Sequence, residues 1–201
     1  MKKKMIILTV IFLSGLLGCG IAYYFVRNSA LLTAAITFGT CFYHFGVRLV
    51  VGHGIDAIYR NKMNYNRWWF KERRFEKTLY KLLLVKKWKR FLPTYDPQAY
   101  SVADHTMEEI IQATCQSEVV HELNMILSFV PVIFTIWFGS LAAFLITSCV
   151  AFCFDGIFVL IQRYNRPRLR RLMELMSKRQ KSVKPAVPSE AQEPPAEGNM
   201  R

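Results

Sequence analysis

Residues 5–26 run for 22 positions without a charged side chain. At 1.5 Å per residue such a helix extends about 33 Å, enough to cross a hydrocarbon core about 30 Å thick. No other feature constrains the fold as strongly, because backbone in lipid must satisfy its hydrogen bonds internally and a single apolar segment does so only as a helix. Three further apolar runs follow. Residues 31–51 carry His44 and Arg48, the latter close enough to its end to snorkel toward the headgroups. Residues 123–138 are short and contain Pro131, so they read either as a short kinked span or as half of a re-entrant hairpin. Residues 141–161 contain Asp155, which costs about 2.5 to 3.5 kcal/mol at mid-helix, whereas the Leu, Ile, Val and Phe side chains of the same run return about 4 to 7 kcal/mol. Insertion of this fourth run is favoured.

The net charge of +13 invites a nucleic-acid reading, but its distribution answers to topology. Lys2 to Lys4 precede the first run, twelve Lys and Arg lie between Gly52 and Glu122, and ten follow Ile161; the turn between the first two runs has only Arg27, and Gly139-Ser140 has none. Four spans with both termini in the cytoplasm put every basic segment inside, as the positive-inside rule requires, and no nucleic-acid partner is needed. A cell-membrane protein is therefore expected. Residues 1–19 also resemble a secretory or lipoprotein signal, but the apolar run continues past Cys19 to Val26, which argues for a retained helix. The five cysteines have no CxxC spacing, and Cys149 and Cys153 fall within the fourth run, where they read as small packing residues.

The sequence thus predicts an all-α multi-pass membrane protein with about four transmembrane helices and an amphipathic interfacial helix on the cytoplasmic side. Its parts are an N-terminal transmembrane hairpin (1–51), a cytoplasmic or interfacial helical region (52–122), a C-terminal transmembrane hairpin with a basic extension (123–181) and a disordered Pro-rich tail (182–201). Within the second part, residues 68–91 lack Pro and Gly, and Trp68, Phe75, Leu79, Leu82, Leu83 and Trp88 recur at roughly helical spacing among cations. That pattern predicts one helix lying in the headgroup layer, ended by Pro93 and Pro97. A loop over 94–103 follows. A second helix is expected to start near Ser101 or Asp104 and to continue through Glu118 and His121 into the third span.

Several polar residues stand out at the cytoplasmic rim. Glu118-x-x-His121 places a carboxylate and an imidazole on one helical face, an arrangement suited either to a general base acting on a hydroxyl or to a simple interfacial pair. The same spacing occurs in di-iron sites, with His105-x-x-Glu108 as a reversed second pair, but four histidines in the chain leave little for a metal centre, and none is expected. Residues 162–168, Gln-Arg-Tyr-Asn-Arg-Pro-Arg, are either a positive-inside cluster with Pro167 opening a new helix, or a set of guanidinium and amide donors (Arg163, Asn165, Arg166, Arg168) for a phosphate, a sugar or an oxyanion. Lys86, Lys87, Lys89 and Arg90 suit anionic lipid or the phosphates of an acyl carrier. Asp155, His44 and Arg48 lie at nearly the depth of His121, either as a structural ion pair of Asp155 with Arg48 or as parts of the site.

Taken together, Trp-Phe-Lys at 69–71, Val85-Lys-Lys-Trp-Lys89, Ala113-Thr114 through Glu118-Val-Val-His121, and Ile161-Gln-Arg-Tyr-Asn-Arg-Pro-Arg-Leu169 resemble the glycosyl-4,4'-diaponeurosporenoate acyltransferase family of staphyloxanthin-type carotenoid biosynthesis. The similarity spans residues 68–172. It implies an O-acyltransferase that moves a fatty acyl group to a hydroxyl of a glycosylated carotenoid or other glycolipid, with no cofactor beyond an acyl thioester donor, acyl-CoA or acyl carrier protein. It further implies Glu118, His121, Asn165, Arg166 and Arg168 as site residues; the chemistry of these side chains suggests His121 and Glu118 as the catalytic pair and Asn165, Arg166 and Arg168, joined by Arg163, Trp88 and Lys89, as substrate-binding or oxyanion residues. The competing expectation is a non-enzymatic membrane protein that binds anionic lipid or a partner enzyme.

Overall fold

The computed structural model describes residues 2–91 and 98–183. Pro93, Pro97 and nearly all of the expected Pro-rich tail fall outside the described residues. Among those described, the secondary structure is helical throughout: α1 (Lys2–Val26), α2 (Ser29–Tyr59), α3 (Arg74–Leu82), α4 (Val85–Trp88), α5 (Met107–Leu127), α6 (Thr135–Phe138) and α7 (Leu141–Val183), with short 3₁₀ turns between them. Four segments are long and apolar enough to cross a membrane: α1, α2, α5 continued through α6, and α7.

The apolar run of α1 leaves most of its large side chains, among them Ile7, Leu17 and Ile21, exposed on the protein surface, as a helix facing lipid must. It packs on α2 alone at close range: a Cβ placed on Gly15 would sit 2.6 Å from the Phe38 ring, so glycine there admits the aromatic side chain. Phe12 stacks between Phe38 and Phe45. Asn28 turns the chain and caps α2, its side chain accepting from the Ala30 amide. The helix then runs eight residues beyond the expected Val51 boundary, to Tyr59, because no proline interrupts 52–59 and Ile55 packs into a cluster with Met63, Phe70 and Cys115.

Residues 68–91 do not form the single helix that their spacing suggests. A 3₁₀ turn at Trp68–Phe70 leads to α3, Leu84 adopts a left-handed conformation (φ 49°), and α4 restarts at Val85. The break turns Val85 into a fully buried cluster with Tyr80 and Tyr164, a contact that a straight helix would forgo. In α3 the buried face is polar, Glu76 and Tyr80, while Phe75 and Leu82 face outward. With Trp68, Leu83 and Leu84 also exposed, the outer surface mixes apolar side chains with the exposed cations Arg74, Lys77 and Lys81, which suits contact with the lipid boundary.

Helix α5 begins at Met107 rather than at 101–104. Thr106 is its cap, and Glu109 closes a capping box with it, a stronger local solution than the Asp104 carboxylate alone. The helix passes through Glu118 and His121 and ends at Leu127, where Pro131 takes away the amide that would have reached the Leu127 carbonyl. Tyr43 on α2 donates its hydroxyl to that carbonyl instead, at 3.0 Å. A 3₁₀ turn over Val130–Phe134 and the single turn of α6 complete the segment, and Gly139 (φ 68°) reverses the chain into α7.

Helix α7 is continuous over 43 residues, about 64 Å at helical rise, and so projects well past any bilayer. Pro167 lies inside this helix instead of opening a new one; Tyr164 and Arg166, buried against α4 and α5, hold the helix just before it, and Arg170, donating to the Asn66 side-chain oxygen, holds it just after. α7 packs on α5, and α2 packs against both.

Candidate active site

Two buried polar networks tie these helices together, one above the other. The outer one joins α3, α5 and α7 near the level at which α7 leaves the apolar layer: Arg163 lies about 33 Å from the start of that helix at ideal rise. Glu118 is fully buried and accepts from both Arg163 (2.5 Å) and Arg166. Arg163 also holds Glu76 at 2.6 Å, and Tyr80 donates to the other Glu76 oxygen at 2.9 Å. Burial, and next the hydrogen bond to Glu76, push the Tyr80 hydroxyl pKa well above its usual value. Arg166 is 1 % exposed, donates to the Thr114 hydroxyl (3.1 Å) and carbonyl (3.2 Å), and lies over the Phe70 ring. Two carboxylates and two guanidiniums make this quartet neutral overall, which is what allows it to be buried.

The inner network lies about 12 Å deeper along α7, eight residues before Arg163. Asp155 is fully buried; one oxygen is 2.8 Å from Nδ1 of His121 and the other accepts from Arg48 at 2.5 Å. Arg48 also donates to the carbonyls of His44 (2.6 Å) and Ala151 (3.3 Å). The His121 ring stacks on Phe158, with centroids 4.8 Å apart and planes 11° from parallel. An aspartate on Nδ1 and a ring on one face fix the orientation of the imidazole, and 19 % of its side chain remains accessible. Nε2 is the ring nitrogen that Asp155 leaves unengaged.

Glu118 is thus not the partner of His121. The two share a face of α5, but both Glu118 oxygens are taken by arginines of α7, whose charge-assisted hydrogen bonds are the stronger ones in a buried site. Asp155 supplies the carboxylate instead, and it contacts His121 and Arg48 at once, so the expected ion pair with Arg48 is present beside the imidazole.

The remaining sequence candidates form a third, shallower group. Lys89 donates to the Asn165 side-chain oxygen at 2.8 Å and sits 4.7 Å from the Tyr164 ring centroid; Arg168 lies over the same ring at 3.6 Å and donates to the Tyr164 carbonyl. Burial, and then the charge of Arg168, lower the Lys89 pKa. Trp88 fastens α4 by donating to the Leu83 carbonyl at 2.7 Å. Asn165 follows Phe158 by seven residues, the same face of α7 about 10 Å farther along, so this group flanks the imidazole without meeting it. Neither Lys89 nor Arg168 has a carboxylate within ion-pair distance among the described residues. His44 is buried beside Arg48 and on the same face of α2. A cleft of about 290 Å³ opens beside Arg166, between Phe70 to Glu72 and the Pro167 to Glu174 stretch of α7, and His121 does not line it.

Reasoning from sequence missed Glu76, Tyr80 and Thr114. Glu76 did carry a signal, since Glu72 and Glu76 are the only acids among the cations of 68–91; a carboxylate kept in so basic a segment has a cation to serve.

No curated protein and no solved structure matches the chain significantly. The family model of glycosyl-4,4'-diaponeurosporenoate acyltransferases matches residues 66–175, more than half of the sequence. The matched stretch takes in Glu76, Lys89, Glu118, His121, Asp155 and the arginines of α7, while Arg48 and the rest of the N-terminal hairpin precede it. The chain therefore belongs to the glycosyl-4,4'-diaponeurosporenoate acyltransferase family and is an acyltransferase.

Proposed function

We propose that the protein transfers a fatty acyl group from a thioester donor to a hydroxyl of a glycosylated carotenoid or related glycolipid at the cytoplasmic leaflet of the cell membrane, with His121 as general base. The observation that carries this reading is the Asp155–His121 contact inside an apolar helix packing. With Asp155 accepting from Nδ1–H, Nε2 presents a lone pair, and Arg48 holds Asp155 in place. Nε2 takes the proton of the acceptor hydroxyl as its oxygen attacks the thioester carbonyl carbon. The tetrahedral intermediate then collapses, the carbon–sulfur bond breaks, and the departing thiolate recovers the proton from the imidazolium. Such a base contributes about 10² to 10⁴ in rate.

The two flanking regions suit the two substrates. Toward the basic end of the helices, Lys89 and Arg168, without a carboxylate partner among the described residues, offer positive charge to the phosphates of an acyl-CoA or acyl carrier donor. Toward the apolar end, α2, α5 and α7 give the acyl and polyene chains a lipid-like path. The cytoplasmic assignment follows from the basic segments, all of which adjoin the same ends of the spans under the positive-inside rule. The quartet around Glu118 fixes α3, α5 and α7 relative to one another and so positions His121, without itself touching the reacting atoms. The test compares lipid extracts of cells producing wild type and His121→Ala at equal membrane levels: acylated glycolipid should disappear in the variant, and an unchanged level refutes the base assignment.

A further inference from the structure

The short helix α3 presents three faces to three different surroundings. Glu76 and Tyr80, one turn apart, form the buried stripe turned into the protein. Phe75, Leu79 and Leu82 recur at helical spacing on a second stripe, and Arg74, Lys77 and Lys81 on a third. The apolar stripe is not a packing face. Phe75 is 61 % exposed and Leu82 76 %, and Leu83 and Leu84, at the corner into α4, are exposed as well. The cationic stripe is exposed along its whole length.

Two contacts fix the depth at which these faces lie. Glu76 is held by Arg163, at the level where α7 leaves the apolar layer. Tyr80 and Val85 cluster with Tyr164, and Leu160, one turn closer to the middle of the span, packs against them. The exposed Phe75 and the leucines at 82–84 are therefore at the membrane boundary, within reach of acyl chains, and not out in the cytosol. The cations have little to answer them within the protein. Among the described residues, Arg74, Lys81, Lys86 and Lys87 have no carboxylate within ion-pair distance, and Lys77 has only Glu72, at 3.8 Å. Glu76, the one acid of α3 itself, is turned inward to Arg163.

We propose that α3 and the corner after it form a docking surface for anionic phospholipid of the adjoining leaflet, with Phe75 and the leucines at 82–84 among the acyl chains and Arg74, Lys77 and Lys81 on the phosphates. A helix with one apolar and one cationic face at the edge of a bilayer meets both parts of such a lipid at once. A zwitterionic headgroup carries its own cation beside the phosphate and leaves these three side chains unanswered, whereas an anionic headgroup brings net negative charge to them. An acidic protein would also satisfy the cations, but only by displacing lipid from Phe75 and Leu82 at the boundary. The inference goes beyond the acyltransferase reading and holds whatever reaction the site performs.

The experiment puts the photoreactive amino acid p-benzoylphenylalanine in place of Leu82 in the full chain, held in nanodiscs of equal parts phosphatidylglycerol and phosphatidylcholine. Mass spectrometry then identifies what it captures. Phosphatidylglycerol adducts should exceed phosphatidylcholine adducts about fivefold, as for one cation meeting an anionic surface. Arg74→Gln, Lys77→Gln and Lys81→Gln combined should return the ratio to that of the disc. Lys178→Gln with Arg179→Gln, on the part of α7 that extends well past the bilayer, should leave it unchanged. Added salt should lower the ratio while the cations of α3 are intact, a readout that needs no substitution among them. A ratio equal to that of the disc at the outset, a ratio unmoved by the triple variant or by salt, or one lowered as much by the α7 variant, overturns the proposal. Adducts to protein, a second copy of the chain included, with none to lipid overturn it as well.

Discussion

Glu118→Gln distinguishes a framework role for this carboxylate from a catalytic one. The glutamate is fully buried, and its two oxygens receive Arg163 and Arg166. The amide keeps the shape but removes the charge, leaving a quartet of two guanidiniums and the single Glu76 carboxylate, with Arg166 1 % exposed and far from the latter's reach. Breaking a buried pair by removing one partner costs about 3 to 5 kcal/mol, a large share of the roughly 5 to 15 kcal/mol that stabilises a typical protein. The glutamine oxygen still accepts one bond, which places the expected loss near the lower bound, about 3 kcal/mol. Thermal or denaturant unfolding in matched detergent micelles measures it. The paired prediction is that Arg166→Met combined with Glu118→Gln recovers part of the loss, because the double variant no longer buries an uncompensated cation. If Glu118→Gln unfolds like the wild type while turnover falls, the framework assignment is wrong and Glu118 acts on the reaction.

Arg166→Lys should behave almost as badly as removal of the arginine, because one ammonium cannot reproduce donation to the Thr114 hydroxyl, the Thr114 carbonyl and Glu118 together; unfolding within error of wild type would mean that charge alone matters there. Tyr43→Phe removes the donor that replaces the missing Pro131 amide at the Leu127 carbonyl, at a cost of about 0.6 to 1.7 kcal/mol, the range for hydrogen bonds between membrane helices. A melting curve checks it, and an unchanged midpoint would show that the carbonyl finds another donor.

The spans were legible because lipid imposes one rule on every residue within it: length and the absence of charge sufficed for α1, a long apolar run outweighed Arg48 in α2 and Asp155 in α7, and Pro131 marked the break after α5. The polar region was harder. Spacing alone made 68–91 one helix, because periodicity cannot see that burying Val85 beside Tyr164 rewards a left-handed turn at Leu84. The same limit governed the site. Asp155 and Arg48 stood out as ionisable groups at membrane depth, with their ion pair among the readings, and His121 and the α7 arginines stood out at the rim, yet the pairing of His121 with Asp155 and of Glu118 with the arginines did not. Glu118 and His121 are neighbours along one helix, whereas Asp155 and His121 meet only through the packing of α5 on α7, and a partner across an interface leaves no spacing to read. Thr114 and Tyr80 were silent for a related reason, since a hydroxyl becomes informative only when the arginine or glutamate it serves is known.

The central claim is that an imidazole held by Asp155 removes the acceptor's proton. It is tested most directly by the turnover number of purified protein in nanodiscs, at saturating thioester and glycosylated acceptor, for His121→Ala and Asp155→Asn beside wild type. The account predicts a fall of about 10² to 10⁴ for His121→Ala, with Asp155→Asn also deeply impaired and KM for the thioester little changed in the former. Turnover of His121→Ala within a few fold of wild type would contradict it.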